Sequence, residues 1–196
     1  ACVRTDEEDG IVAVCDRVLG VTRPAPAFLP DVKRTVEGAV AYVKISDGCN
    51  RFCSFCAIPY IRGRYHSRPA DRIIAEAREL VLIGQDTGIW GSDFSAQTDG
   101  PSNLAQLLEA LASALRPEKV WIRVLYLQPE GMSDELISVI RDTPEVLPYI
   151  DIPVQHCSAR VLKAMNRSGS ESELDELFNR LREEIPQMVI RTTSLV

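Results

Sequence analysis

From residue 39 onward, apolar positions fall by turns into short runs and helical stripes. Residues 39–46, Ala-Val-Ala-Tyr-Val-Lys-Ile-Ser, read as a first β-strand. Arg68-Pro69-Ala70-Asp71 opens a helix: Asp71 can cap it, and Ile73, Ile74, Ala77 and Leu80 share one face. Residues 81–84 are a short buried strand, and a polar loop follows over 85–100. The second helix spans 103–115, with Leu104, Leu107, Leu108, Leu111 and Leu115 in one stripe and Asn103 with Gln106 as a capping box. Residues 120–126 form the third strand. The third helix starts at Ser133 and stacks Leu136, Ile137 and Ile140. A fourth strand over 149–152 leads to a short helix over 158–165. A longer helix follows Ser170, whose capping partner is Glu173. Its apolar face is Leu174, Leu177, Phe178, Leu181 and Ile185, and Pro186 ends it. The fifth strand covers 188–193.

Strand alternating with helix means parallel strands joined by right-handed crossovers. Five such units favour an α/β fold of the partial (β/α) barrel type, whose chemistry sits at the C-terminal ends of the strands. Residues 36–196 make up this barrel. Residues 1–35 read as the remnant of a preceding domain plus a linker, with Pro24, Pro26 and Pro30 within seven positions. Two joints look abrupt. The first helix runs into the second strand at Leu80-Val81 without a turn residue, and the chain stops inside a strand. Residues are expected to be missing there and before residue 20.

Composition narrows the class. At 45% hydrophobic and 26% charged, the sequence suits a soluble globular protein, with no apolar run long enough for a membrane span and no signal peptide. A cytoplasmic setting is expected, with cysteines reduced rather than paired. The net charge of −6 disfavours a general phosphate-binding surface; Arg62, Arg64, Arg68 and Arg72 make the one local basic cluster.

The chemistry concentrates at Cys49, Cys53 and Cys56, spaced C-x3-C-x2-C at the end of the first strand. Three thiolates are one short of the four that closed zinc sites and ordinary electron-transfer clusters use. A [4Fe–4S] cluster held by three cysteines keeps one iron open, and an open iron can bind a substrate's amine and carboxylate. The competing arrangement is a zinc site completed by a distant ligand such as His66. The spacing, with an aromatic residue just before the last cysteine, favours the cluster. Cys2 and Cys15 fit small buried residues as well as ligands, and Cys157 reads as a spare thiol.

This stretch resembles the radical S-adenosylmethionine (SAM) superfamily. The resemblance implies that Cys49, Cys53 and Cys56 ligate the cluster, that its open iron binds S-adenosylmethionine, and that Phe55 lies near the adenine. Cleavage of the sulfonium then yields methionine and a 5′-deoxyadenosyl radical. The run from Ala41 to Cys49, Ile58-Pro59, Arg62-Gly63, Ser67-Arg68-Pro69, Pro153-Val154-Gln155-His156 and Arg191-Thr192-Thr193 are similar to the methylthiotransferase branch. Within it, the segments 83–87 and 149–156 resemble enzymes that methylthiolate the β-carbon of an aspartate in ribosomal protein S-twelve. A sister group acts on a tRNA adenosine. The resemblance further implies the ribosomal small subunit or its protein as substrate, and an electron donor such as flavodoxin or ferredoxin. It also implies a second [4Fe–4S] cluster in an N-terminal domain, for which only Cys2 and Cys15 are candidates here. It places Gly84, Gln85 and Asp86 at the cofactor's methionine portion, and gives Arg191 and Thr193 ribose or carboxylate contacts. Read from the residues, Gly84, Gln85 and Asp86 are equally a turn. Arg123 alternates with Ile122 and Val124, so it faces the lumen, where it can meet a carboxylate of cofactor or substrate or a buried structural partner. Gln155 and His156 follow the fourth strand; His156 suits a proton carrier or a hydrogen-bonded structural role.

Overall fold

The computed structural model of the chain describes residues 40–75, 80–94, 100–116 and 120–195. Strand β1 (Ala41–Lys44) is interrupted at Ile45 and resumes as β2 (Ser46–Asp47). The cysteine loop then leads through α1 (Ile58–Ile61) to β3 (His66–Ser67), which returns antiparallel to β2. Helix α2 (Ala70–Ala75), β4 (Leu80–Ile83), α3 (Leu104–Leu115) and β5 (Ile122–Val124) follow. The chain continues through α4 (Asp134–Asp142), β6 (Tyr149–Asp151), α5 (Ala159–Ala164), α6 (Glu171–Glu184) and β7 (Val189–Arg191).

Apart from the short β2–β3 pair, the strand pairs are parallel, as the βα rhythm requires. β4 lies between β1 and β5, with Leu80 opposite both Ala41 and Ile122. An isolated parallel bridge from Ile122 to Val146 and a bond from Leu127 N–H to the Asp151 carbonyl (2.9 Å) carry the curve on to β6. β6 pairs in parallel with β7. Among the described residues β1 pairs only with β4 and β7 only with β6, so the barrel stays open.

One face of each strand packs on the helices. Leu107, Leu108 and Leu111 of α3 are fully buried in one cluster with Leu82, Ile122 and Ile137. Each such side chain contributes about 1.5–3 kcal/mol through burial. Caps fix where the helices begin. Asn103 accepts from Gln106 N–H (2.9 Å), Ser133 from Leu136 N–H (3.1 Å) and Ser170 from Glu173 N–H (3.4 Å).

Several boundaries differ from the sequence expectation. Asp71 lies inside the first turn of α2 rather than capping it, because that turn already closes on the Pro69 carbonyl, which accepts from Ile73 N–H (3.3 Å). Leu80 belongs to β4, where ladder pairing with Ala41 outweighs its place in the helical stripe; Ala77 lies outside the described residues. The strand expected over 120–126 shortens to Ile122–Val124, since Tyr126 turns left-handed at φ 62°. Gln106 does not close a reciprocal box on Asn103; its side chain accepts from Ser102 N–H (3.0 Å) instead. Cys2, Cys15 and the proline-rich linker lie outside the described residues. No helix among the described residues is long and apolar enough to cross a membrane.

Leu108→Ala is expected to destabilise the protein by about 2–5 kcal/mol in urea unfolding, by the cavity it leaves. Val189→Ala, at a position 55% exposed, should stay within about 0.5 kcal/mol of the parent. Equal effects would contradict the placement of the core.

Candidate active site at the strand ends

β2 delivers the chain to Gly48, which stands at φ 71° with the Arg64 carbonyl where a Cβ would sit. Only glycine fits that turn without strain. Cys49 N–H then donates to the Gly63 carbonyl (3.2 Å), and Cys56 N–H to the Cys53 carbonyl (3.0 Å). The backbone therefore curls, and all three thiols line one cavity of about 470 Å³. Ile83, Gly84 and Gln85 at the end of β4, Tyr126 and Gln128 after β5, and Gln155 after β6 complete its wall. These are the C-terminal ends of parallel strands, where a β/α barrel places its chemistry. The thiols are free; Cys49 is buried while Cys53 and Cys56 are half-buried. Burial pushes the Cys49 thiol up, and the Arg51 backbone amide partly offsets it.

The loop is anchored from two sides. Arg51 Nε donates to Asp86 Oδ2 (2.5 Å), and its Nη1 reaches Glu130 Oε2 (3.2 Å). Asp86 is fully buried beyond the end of β4, and its second oxygen has no hydrogen-bond partner. Burial pushes its carboxyl up and Arg51 pulls it back without cancelling the rise. For Arg51, burial favours the neutral form, but Asp86 outweighs it and holds the guanidinium charged. On the other side, the turn after α5 grips the loop backbone. Ser54 N–H donates to the Met165 carbonyl (3.0 Å) and its hydroxyl to the Ala164 carbonyl (3.0 Å). The Asn166 amide donates to the carbonyls of Phe52 (2.9 Å) and Arg51 (3.3 Å).

Backbone strain gathers at the same place. Among the described residues, the non-glycine positions with positive φ are Phe52, Tyr126, Gln155 and Asn166. Each lines the cavity or belongs to the loop and its clamp. Such conformations cost of order 1 kcal/mol or more each and persist where their surroundings impose them.

The sequence candidates separate into three groups. Phe55 stands at the rim, 51% exposed, and Gly84, Gln85 and Gln155 line the cavity with the thiols. A Cβ at position 84 would run into Ser46 Oγ, and Gln85 Oε1 is buried without a partner. Asp86 lies behind the wall, committed to Arg51. Arg123 and Arg191 do face the lumen, but they line a second cavity of about 450 Å³ with Tyr42, Trp121 and Tyr149. The Arg123 guanidinium stacks 4.4 Å over the Tyr149 ring, and Arg191 lies 3.5 Å from Asp151. Alternation gives the face a residue takes, not its height along the lumen.

Other candidates lie outside the thiol cavity. Thr193 offers its carbonyl to Gln155 N–H (2.9 Å). His156 Nδ1 accepts from Ser158 N–H (2.8 Å) at the start of α5. His66 is exposed, with Nδ1 3.5 Å from the Arg64 carbonyl, and does not line the thiol cavity. Cys157 is exposed and lines neither of these cavities. Of the basic cluster, Arg68 donates to the Lys44 carbonyl (2.7 Å) and Arg62 lies 3.8 Å from Asp47. Arg51, Tyr126, Gln128 and Arg167 line the cavity without having been singled out. Only Arg51 carried a hint, as a cation inside the cysteine motif.

Among the described residues no group of three His, Cys, Asp or Glu side chains is gathered closely enough for a single metal ion.

The sequence profile of the Radical SAM superfamily matches residues 43–195. The ribosomal protein uS12 methylthiotransferase RimO of Synechococcus sp. (strain WH7803) is 40% identical over 213 aligned positions, which take in all of this chain and 44% of the relative. That of Geotalea uraniireducens (strain Rf4) is 45% identical over 164 positions, or 80% of the chain and 35% of the relative. The chain thus spans less than half the length of these curated relatives. Among solved structures, the radical S-adenosylmethionine methyltransferase TsrM from Kitasatospora setae, with cobalamin and a [4Fe-4S] cluster bound, aligns at a TM-score of 0.60 and 13% identity. It covers 79% of this chain and 30% of that one. The cobalamin-dependent S-adenosylmethionine radical enzyme OxsB aligns at 0.59 and 12%, covering 79% and 23%. At such identities these two share the fold.

Asp86→Asn is expected to cost about 3 kcal/mol in urea unfolding of the metal-free protein, because it removes the buried anion from a half-buried guanidinium and leaves it only the more exposed Glu130. Glu130→Gln, at the exposed end of the same cation, should cost less than about 1 kcal/mol. The reverse order would contradict the anchoring role of Asp86.

Proposed function

The chain belongs to the radical SAM superfamily, and from that membership we propose that it serves a methylthiotransferase acting on the β-carbon of an aspartate in ribosomal protein uS12. The observation that carries the proposal is the convergence of three free thiols with strand-end polar groups on one cavity. The uS12 methylthiotransferases above support the substrate assignment, as do the segments 83–87 and 149–156.

The donor set fits the cofactors of the family. Cys49, Cys53 and Cys56 would hold a [4Fe–4S] cluster, with no fourth protein ligand among the described residues beside them. Gln85 lines the cavity beside the thiols, where its amide would meet the polar methionine portion of S-adenosylmethionine. Gly84 lines the same wall, and its lack of a Cβ is required by the close approach of Ser46 Oγ. Phe55 offers an exposed ring at the rim for the adenine. Bound there, cluster and S-adenosylmethionine would supply a carbon radical able to take a hydrogen atom from an unactivated carbon. The protein's part is to hold the thiolates in place, keep water from the cavity and orient the reacting groups. Arg51 and the clamp after α5 do the first of these. The methylthio sulfur would come by way of a second cluster in the N-terminal domain, and the electron from a flavodoxin- or ferredoxin-like donor. The setting proposed is the cytoplasm.

The test is product mass. The anaerobically reconstituted protein, with S-adenosylmethionine and reductant, is incubated separately with ribosomal protein uS12 and with tRNA. A gain of one SCH2 unit on the aspartate is the expected result. A gain on tRNA alone would overturn the substrate assignment in favour of adenosine methylthiolation.

A further inference from the structure

Three cations line the thiol cavity: Lys44, Arg51 and Arg167. Two of them already have carboxylate partners. Lys44 Nζ lies 2.8 Å from Asp47 Oδ2, and Arg51 holds Asp86 and Glu130. Arg167 differs. Its Nη2 donates to Gln128 Oε1 and to the Pro153 carbonyl (3.1 Å), both neutral. Among the described residues no carboxylate pairs with it. The carboxyls of Asp86 and Glu130 feel its charge but are bound to Arg51, and Glu130 also accepts from Ser168 Oγ (2.7 Å).

Arg167 is nevertheless firmly placed. Its N–H donates to the Leu162 carbonyl (2.8 Å), and the preceding Asn166 is the left-handed residue whose amide grips the cysteine loop. Two fixed acceptors hold one terminal nitrogen from behind, leaving Nε and Nη1 without a protein acceptor among the described residues. A half-buried guanidinium that lacks an anion is costly by itself and pre-organised for one that arrives. Nε and Nη1 lie on different edges of the guanidinium plane, so either can give an arriving carboxylate one charge-assisted hydrogen bond.

We infer that Arg167 is the carboxylate receptor of this cavity. The inference rests on the methylthiotransferase reading above, in which two carboxylates must enter the site: that of the cofactor's methionine portion and that of the substrate aspartate. Both present the same chemistry to the guanidinium, and binding measurements separate them.

The protein, Arg167→Gln and Arg167→Lys are reconstituted with iron and sulfide, and iron content and melting temperature are checked. Affinities are then measured for S-adenosylmethionine and for its decarboxylated analogue. If the receptor serves the cofactor, Arg167→Gln weakens S-adenosylmethionine by about tenfold or more, the scale of a charge-assisted hydrogen bond. The analogue's affinity stays unchanged, and Arg167→Lys recovers part of the loss. If it serves the substrate, cofactor affinity holds in all three proteins. The half-saturating concentration of a uS12-derived peptide, read by 5′-deoxyadenosine formation, then rises about tenfold or more in Arg167→Gln. The preference for an aspartate over an asparagine peptide is lost with it. Unchanged cofactor and peptide affinities overturn the inference, even if the cluster's reduction potential shifts. Should Arg167→Gln not load iron, Arg167→Lys is judged by the same criteria. Failure of the unsubstituted, iron-loaded protein to bind S-adenosylmethionine would instead overturn the functional reading.

Discussion

A fully buried carboxylate needs a cation, and the one that reaches Asp86 comes from within the cysteine motif. Arg51 lies between Cys49 and Cys53, so its pairing with Asp86 ties the loop to the end of the central strand β4. The pair adds little net stability, since desolvation offsets most of the attraction. Its effect is positional. With Arg51 fixed, the backbone on either side has few paths left, and the thiols face the lumen. The Asn166 amide and the Ser54 contacts close the remaining freedom from the α5 side. The loop is thus held by two elements far from it in sequence.

The barrel supplies what the loop cannot. Parallel strands end on one edge, so Gly84 and Gln85, Tyr126 and Gln128, and Gln155 meet the thiols from three directions. Strand-end backbone is also where left-handed residues are tolerated, as at Tyr126 and Gln155. The open arc of strands leaves a second, aromatic and arginine-lined cavity in the lumen, outside the thiol cavity. Arg123 and Arg191, expected beside the cofactor, lie there.

What the sequence made legible was local chemistry. Asn103, Ser133 and Ser170 identify helix starts because a cap acts on a backbone amide three residues away. The leucine stripe of α3 declares its buried face because helical period and burial coincide. The cysteine spacing declares a ligand loop because few other uses require three thiols so close. Illegible were the relations set by tertiary packing. Arg51 and Asp86 stand 35 residues apart, and the clamp at Asn166 acts across more than a hundred. Leu80 shows local pattern yielding to ladder pairing. Arg167, in a turn after a short helix, has no sequence signature at all; its meaning comes from what does and does not surround it.

The central claim is that three thiols hold a [4Fe–4S] cluster whose fourth iron is left for the cofactor. The most direct measurement is electron–nuclear double resonance on the reduced, reconstituted protein with S-adenosylmethionine carrying nitrogen-15 in its amine and oxygen-17 in its carboxylate. Hyperfine coupling of both nuclei to the cluster is expected. A cluster that shows neither coupling with cofactor bound, or a protein that takes up one zinc and no iron, would contradict it.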